Sequence, residues 1–233
     1  MKTQQTQNRA AETLVSLQAP ILSVRGLCRK IDKYWIWRNL NFELFAGEKV
    51  AVLGASGSGK SLLLRALAGL DRVQAGKIIF QGKNINTWHL PKYRSQITYL
   101  HQRPALWEGT VESNLKQIYH LKVNRHLVYN RAAILDYLQL LHKNDDFLKR
   151  PVSAISGGEA QIVAFLRALQ LAPKILLLDE PTASLDAQTA HSLEALVSTW
   201  QAQNPQRAYL WTSHDPTQLQ RITNRQISLQ EKD

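Results

Sequence analysis

The chain has one cysteine, Cys28, in 233 residues. That excludes an internal disulfide and a cysteine metal cluster, and it fits a reducing cytoplasm. Long hydrophobic runs are also missing. The longest, such as Ile175 to Leu178, reach four or five residues, far short of the roughly 20 that cross a bilayer. The start, Met1 to Ala11, is polar and has no signal-peptide hydrophobic segment. Acidic residues are scarce, 18 against 29 basic, for a formal net charge of +11. Such an excess suits nucleic acid, anionic lipid or an acidic partner, or is a plain solvated surface. No lysine tract, zinc spacing or aromatic RNA-binding signature accompanies it. Neither a heptad seam nor an internal repeat is present.

The chain does have a core. At 44% hydrophobic it suffices for one large domain, or one domain with a subdomain. Residues 1 to 19, rich in Gln and Thr, read as a disordered tail. Short apolar runs predict strands at Ile21 to Arg25, Asn41 to Leu44, Lys49 to Leu53 and Lys77 to Phe80. Others are predicted at Ile97 to Leu100, Lys174 to Leu178 and Ala208 to Thr212. Between the fifth and sixth the texture is helical, with Leu127, Ile134, Leu138 and Leu141 at helix-like spacing. The expectation is an α/β core interrupted by a helical subdomain near residues 103 to 171. Asp186 caps a helix running to about Trp200.

One segment carries chemistry outright: Gly54-Ala55-Ser56-Gly57-Ser58-Gly59-Lys60-Ser61. It lies between the Lys49 to Leu53 strand and a helix that Gly69 should stop. A polyphosphate is held best by inward-facing backbone N–H groups backed by a helix dipole. Glycines allow that approach, Lys60 adds a charge for the β- and γ-phosphates, and the Ser61 hydroxyl suits Mg²⁺. Asp179 ends an apolar strand where an acid can reach that ion. Glu180 follows it, and alternation along a strand would turn it the opposite way, toward a water. Gln102 and His214 also lie at strand ends, where open α/β sheets bind ligands. Each has a duller account, as a surface amide or a capping histidine. Ser156-Gly157-Gly158-Glu159 reads as a helix capping box. That box does not explain two glycines in a first turn, which cost roughly 1 kcal/mol each relative to Ala. A phosphate approaching closely would explain them.

From about residue 21 to its end the chain resembles the ATP-binding-cassette (ABC) ATPases. The matches run in family order: Gly54 to Ser61, Gln102 of the Q-loop, and the signature Ile155-Ser156-Gly157-Gly158-Glu159. Then come Ile175 to Glu180, Ser184-Leu185-Asp186 of the D-loop and His214 of the switch. The resemblance implies a P-loop NTPase (RecA-like) core with an antiparallel β-layer, forming one nucleotide-binding domain over residues 20–233. It implies ATP and Mg²⁺, with Ser61, Gln102 and Asp179 at the metal and Glu180, His214 and Gln102 catalytic. It further implies a homodimer sandwiching ATP, in which the signature of one subunit meets the phosphate loop of the other.

Four positions depart from the family pattern. Leu62 stands for the usual Thr, losing a hydroxyl contact. Glu159 stands where Gln is commoner, and Ile162 where Arg is common. The family's adenine-stacking aromatic aligns with Ile31, so Tyr34, Trp35 and Trp37 are the nearby substitutes. Tyr34 is favoured, against the alternative that all three are ordinary strand aromatics. A single cassette without a membrane span suggests a separate subunit working with a multi-span permease at the cytoplasmic face of a bacterial inner membrane. Pro104 to Val111, with Asn114-Leu115, resembles exporter-type cassettes, and Pro104 to Thr110 is expected to line a groove that receives a permease helix. The whole is most similar to Fet-type (YbbL-like) subunits associated with iron export. A cassette that gates a membrane partner without moving solute is the alternative. Nucleic-acid cassettes carry coiled coils or two sites per chain, so no nucleic-acid partner is expected.

Overall fold

The structure is a computed structural model that describes residues 19–229. The predicted tail lies outside the described residues except for Ala19. Two sheets organise the rest. Strands β1 (Leu22–Ile31), β2 (Tyr34–Leu44), β4 (Ala75–Phe80) and β5 (Lys83–Asn84) form an antiparallel sheet in the order β2-β1-β4-β5. Strands β3 (Lys49–Leu53), β6 (Ile97–Leu100), β7 (Ile175–Asp179), β8 (Ala208–Thr212) and β9 (Arg225–Ser228) form a parallel sheet in the order β6-β7-β8-β3-β9.

The parallel strands are short apolar runs because both of their faces are covered. Their residues alternate between two cores. Val50, Val52, Leu177 and Leu210 face one cluster with Leu22, Leu44, Phe80 and helix α1 (Lys60–Leu67). Ala51, Leu176, Leu178, Tyr209 and Trp211 face the other. There they meet helix α6 (Gly157–Leu169) and helix α7 (Ala187–Ala202) through Phe165, Leu196 and Trp200. Between β6 and β7 the chain forms only helices and turns apart from one isolated bridge. The helices are α3 (Val111–Lys116), α4 (Arg131–Leu140), α5 (Asp146–Lys149) and α6. A short helix α2 (Leu90–Gln96) precedes β6, and α8 (Pro216–Ile222) precedes β9.

Several predicted boundaries move. The Asn41 to Leu44 strand starts at Tyr34, because β2 pairs with β1 from Leu44↔Leu22 back to Tyr34↔Ile31. Tyr34, Trp35 and Trp37 are therefore strand residues. Leu127 lies outside any α-helix, since Asn130 caps α4 only from Arg131 onward. Lys174 stays outside β7, although its carbonyl accepts the Ala208 N–H at 3.0 Å. No helix among the described residues is long and apolar enough to cross a membrane.

Candidate functional site

The Gly54–Ser61 loop leaves the C-terminal end of β3 and feeds α1. Gly59 precedes that helix with φ 90° and gives it no side-chain cap, so the first-turn N–H groups face the loop. A β-carbon at Gly59 would collide with Ile36 Cγ2 and stand 2.9 Å from Trp37 Nε1. Glycine is thus required there by packing as well as by backbone angle. Lys60 is 8% exposed, and its Nζ lies 2.8 Å from Gly54 O and 3.1 Å from Ala55 O. The cation is folded over the loop it follows. Ser58 Oγ is buried without a hydrogen-bond partner. An uncapped helix start, a buried ammonium and an orphaned hydroxyl fit a polyphosphate.

Asp179 ends β7 at 4% exposure. Its Oδ1 accepts from Ser61 Oγ at 2.9 Å and Thr212 Oγ1 at 3.1 Å, and its Oδ2 accepts from Tyr99 OH at 2.8 Å. Burial raises the Tyr99 pKa, and its bond to Asp179 and that residue's charge add to the shift. A carboxylate and a serine hydroxyl side by side are the hard oxygen donors that suit Mg²⁺.

Glu180 does not reach its place by strand alternation, as expected from the sequence. It leaves the strand in the left-handed region, φ 46°, with its N–H donating to Thr212 Oγ1 at 2.9 Å. That turn aims the side chain at two strand-end residues. Its Oε2 accepts from Gln102 Nε2 at 3.2 Å, and its Oε1 lies 2.8 Å from His214 Nε2. Gln102, Glu180 and His214 therefore converge, beside the Ser61–Asp179 pair.

The Ser156–Glu159 turn makes its side-chain hydrogen bonds within the helical segment. Ser156 Oγ accepts the Glu159 N–H at 3.1 Å, and Glu159 Oε2 accepts the Ser156 N–H at 3.0 Å, completing the capping box. The two glycines differ. A β-carbon on Gly157 would meet nothing within 4 Å, whereas on Gly158 it would stand 2.9 Å from Leu185 Cδ2. A close phosphate fits the open face at Gly157. Packing against Leu185 already accounts for Gly158.

Of the three candidate aromatics, Trp37 is 7% exposed and underlies Gly59. Trp35 is engaged by Arg38 and Lys30, at 4.8 and 5.5 Å from its ring centre. Tyr34 is 74% exposed. Leu62 packs against the core shared by the two sheets.

Sequence reasoning missed the hydroxyls of Tyr99 and Thr212, and a buried chain behind the site. Thr182, two residues past Glu180, exchanges hydrogen bonds with Gln218 of α8. Gln218 Nε2 donates to Glu194 Oε1 of α7 at 2.7 Å. Arg221 then grips that carboxylate with two bonds of 2.9 Å. The spacing of Gln218 and Arg221, one helical turn apart, was the only sign of it.

The description "ABC transporter" is that of the family profile matching residues 37–183. The chain is 33% identical over 201 residues to the probable iron export ATP-binding protein FetA of Escherichia coli K12, covering 86% of this chain and 88% of that one. It is 34% identical to the aliphatic sulfonates import ATP-binding protein SsuB 1 of Pseudomonas syringae pv. tomato, covering 92% and 72%. Among solved structures, a dimeric ATP-binding cassette in a post-hydrolysis state with ADP and Pi superposes with a TM-score of 0.76. It is 24% identical, over 90% of this chain and 94% of that one.

Proposed function

The chain belongs to the ABC transporter family, and we propose that within it residues 20–233 form one nucleotide-binding domain, acting as a homodimer that hydrolyses ATP to drive solute export. The observation that carries this reading is the placement of Glu180 between Gln102 and His214, beside the Ser61–Asp179 pair.

The residues divide the work. Backbone N–H groups of residues 54–61 and the start of α1 hold the phosphates, and Lys60 swings from its carbonyl partners to the β- and γ-oxygens. Leu62 contributes its backbone only. A bound Mg²⁺ would offset the negative charge that develops on the phosphates. Ser61, Asp179 and Gln102 are the side chains that would hold it. Glu180 orients and deprotonates the attacking water. His214 fixes the Glu180 carboxylate and faces the γ-phosphate, and Gln102 reports nucleotide to the helical segment near residues 103–171. Ser156, Gly157, Gly158 and Glu159 act on the partner subunit's ATP. Tyr34, the exposed aromatic, stacks on adenine.

The membrane partner, a multi-span permease, docks at a groove of about 450 Å³ lined by Leu106, Trp107, Ile118, Arg167 and Leu171. On this reading the chain works at the cytoplasmic face of the membrane. Iron is the proposed cargo, because the FetA relative is matched over nearly its whole length. The test is co-purification from membranes. The permease should be retained by the wild type and released by Leu106→Ala with Trp107→Ala, while ATP binding persists. Retention by the double variant, or a partner that moves no metal ion in vesicles, overturns the corresponding part.

A further inference from the structure

Helix α6 is fastened to the Pro104–Thr110 loop at both of its ends. At the far end, Arg167 Nη2 donates to Ala105 O at 3.0 Å, and the guanidinium lies 4.9 Å from the Trp107 ring centre. Asn114 holds the Trp107 backbone from the other side, accepting its N–H and donating to its carbonyl, both at 2.9 Å. About three turns, roughly 15 Å of helix, separate Arg167 from Gly157 at the start of α6.

At the near end the tie runs through Arg150. Its backbone is paired with the loop: Val111 N–H donates to Arg150 O at 2.9 Å, Val152 N–H donates to Gly109 O at 2.9 Å, and Thr110 bridges Pro151. Its side chain then turns to the helix. One guanidinium nitrogen donates to Glu159 Oε1 at 2.7 Å, the other to Ala154 O at 2.6 Å. The second oxygen of Glu159 holds the Ser156 N–H. Lys143 also reaches Glu159 Oε1, at 2.9 Å, but from the connection between α4 and α5.

A capping box fixes Ser156 to its own helix. It does not fix that helix to the rest of the chain. The planar fork of Arg150 supplies this second constraint, since it binds the carboxylate and the Ala154 carbonyl from one rigid group. Glu159 can take part because it is a carboxylate; a Gln there would keep the cap and lose the ion pair.

We propose that Arg150 is a positioning residue that transmits the placement of the Pro104–Thr110 loop to the Ser156-Gly157 turn through Glu159. The inference rests on the reading that this turn acts on a partner subunit's ATP. The test uses the full chain carrying Glu180→Gln, with ATP as ligand. Dimer formation is followed by sedimentation, monomer ATP affinity by titration, and folding by thermal melting. Arg150→Met should weaken the ATP-driven dimer about tenfold and leave monomer ATP affinity unchanged. Glu159→Gln, which preserves shape and cap, should do the same, and the two together should cost no more than either alone. Lys143→Met should have the smaller effect. An unchanged dimer in Arg150→Met or Glu159→Gln overturns the inference, as do additive losses or a Lys143→Met effect equal to that of Arg150→Met. No ATP-driven dimer from Glu180→Gln alone overturns the cross-subunit reading, and this inference with it.

Discussion

Glu180 Oε1 lies 2.8 Å from His214 Nε2, and the two leave adjacent strands of the parallel sheet, β7 and β8. Thr212 ties those strand ends together, donating to Asp179 and accepting the Glu180 N–H. One hydroxyl thus sets where the Asp179 and Glu180 side chains part company.

Glu180→Gln should bind ATP with wild-type affinity and lose turnover by about 10²- to 10⁴-fold, the usual contribution of a general base. The amide keeps the shape that faces Gln102 and His214 but cannot take the proton. Steady-state hydrolysis in the presence of the permease checks this. Unchanged turnover would remove Glu180 from the role.

Lys60→Ala should weaken ATP binding by roughly ten- to a hundredfold, the loss of a charge-assisted contact worth about 1.5–3 kcal/mol. Gly157→Asp should spare monomer binding and abolish hydrolysis, because its open face would carry a carboxylate toward the partner subunit's phosphate. Each variant alone should be inactive. Mixed, they should regain partial activity through one composite site holding an intact loop and an intact turn. No recovery in the mixture contradicts a site shared between subunits.

Glu159 gives the fold a signature in acid. Burial pushes its pKa up, but Lys143, the Ser156 N–H and Arg150 outweigh that and hold it at about 2, below the ordinary 4.5. A carboxylate with a depressed folded-state pKa stabilises fully above its unfolded value and loses that contribution as pH falls. Urea unfolding of the wild type should therefore show stability declining between about pH 4.5 and pH 2. In Glu159→Gln that part of the decline should be missing. Parallel profiles for the two chains would contradict the pairing.

Arg221→Met should destabilise the chain by roughly 1–3 kcal/mol, since Glu194 would remain as a buried carboxylate with only Gln218 as donor. Glu194→Gln in the same chain should recover part of the loss. Denaturant midpoints decide it: a double variant no more stable than Arg221→Met alone rules out a charge-pair origin.

Much of the architecture was legible because parallel strands covered on both faces must be short and apolar. Lys49 to Leu53, Ile97 to Leu100 and Ala208 to Thr212 stand out on that ground alone. The Tyr34 to Leu40 half of β2 was not legible. Its mix of Tyr34, Trp35, Arg38 and Asn39 matches no single period, and only pairing with β1 makes it strand. The strand–loop–helix at Gly54–Ser61, the strand-end position of Asp179 and the capping box could be read because each is local in sequence. The partners of Asp179 could not, since Tyr99 and Thr212 come from flanking strands whose register appears only on folding. Gly158 shows the same limit: its crowding comes from Leu185, which lies beyond β7 in the sequence.

The position of β3 has a consequence for how the chain comes into being. It is flanked by β8 and β9, with Lys49 opposite Tyr209 and Val50 opposite Arg225. The strand that launches the Gly54–Ser61 loop is made well before β8 and β9, its two neighbours in the sheet. Such long-range pairing is slow, because chain ends must be brought together before any contact repays the lost entropy. A nascent chain on the ribosome therefore carries the loop residues before the two strands that flank β3 have been made. On the proposed reading ATP binding should therefore depend on β9, and removing the Arg225–Ser228 strand should weaken it although none of the proposed nucleotide contacts lies there.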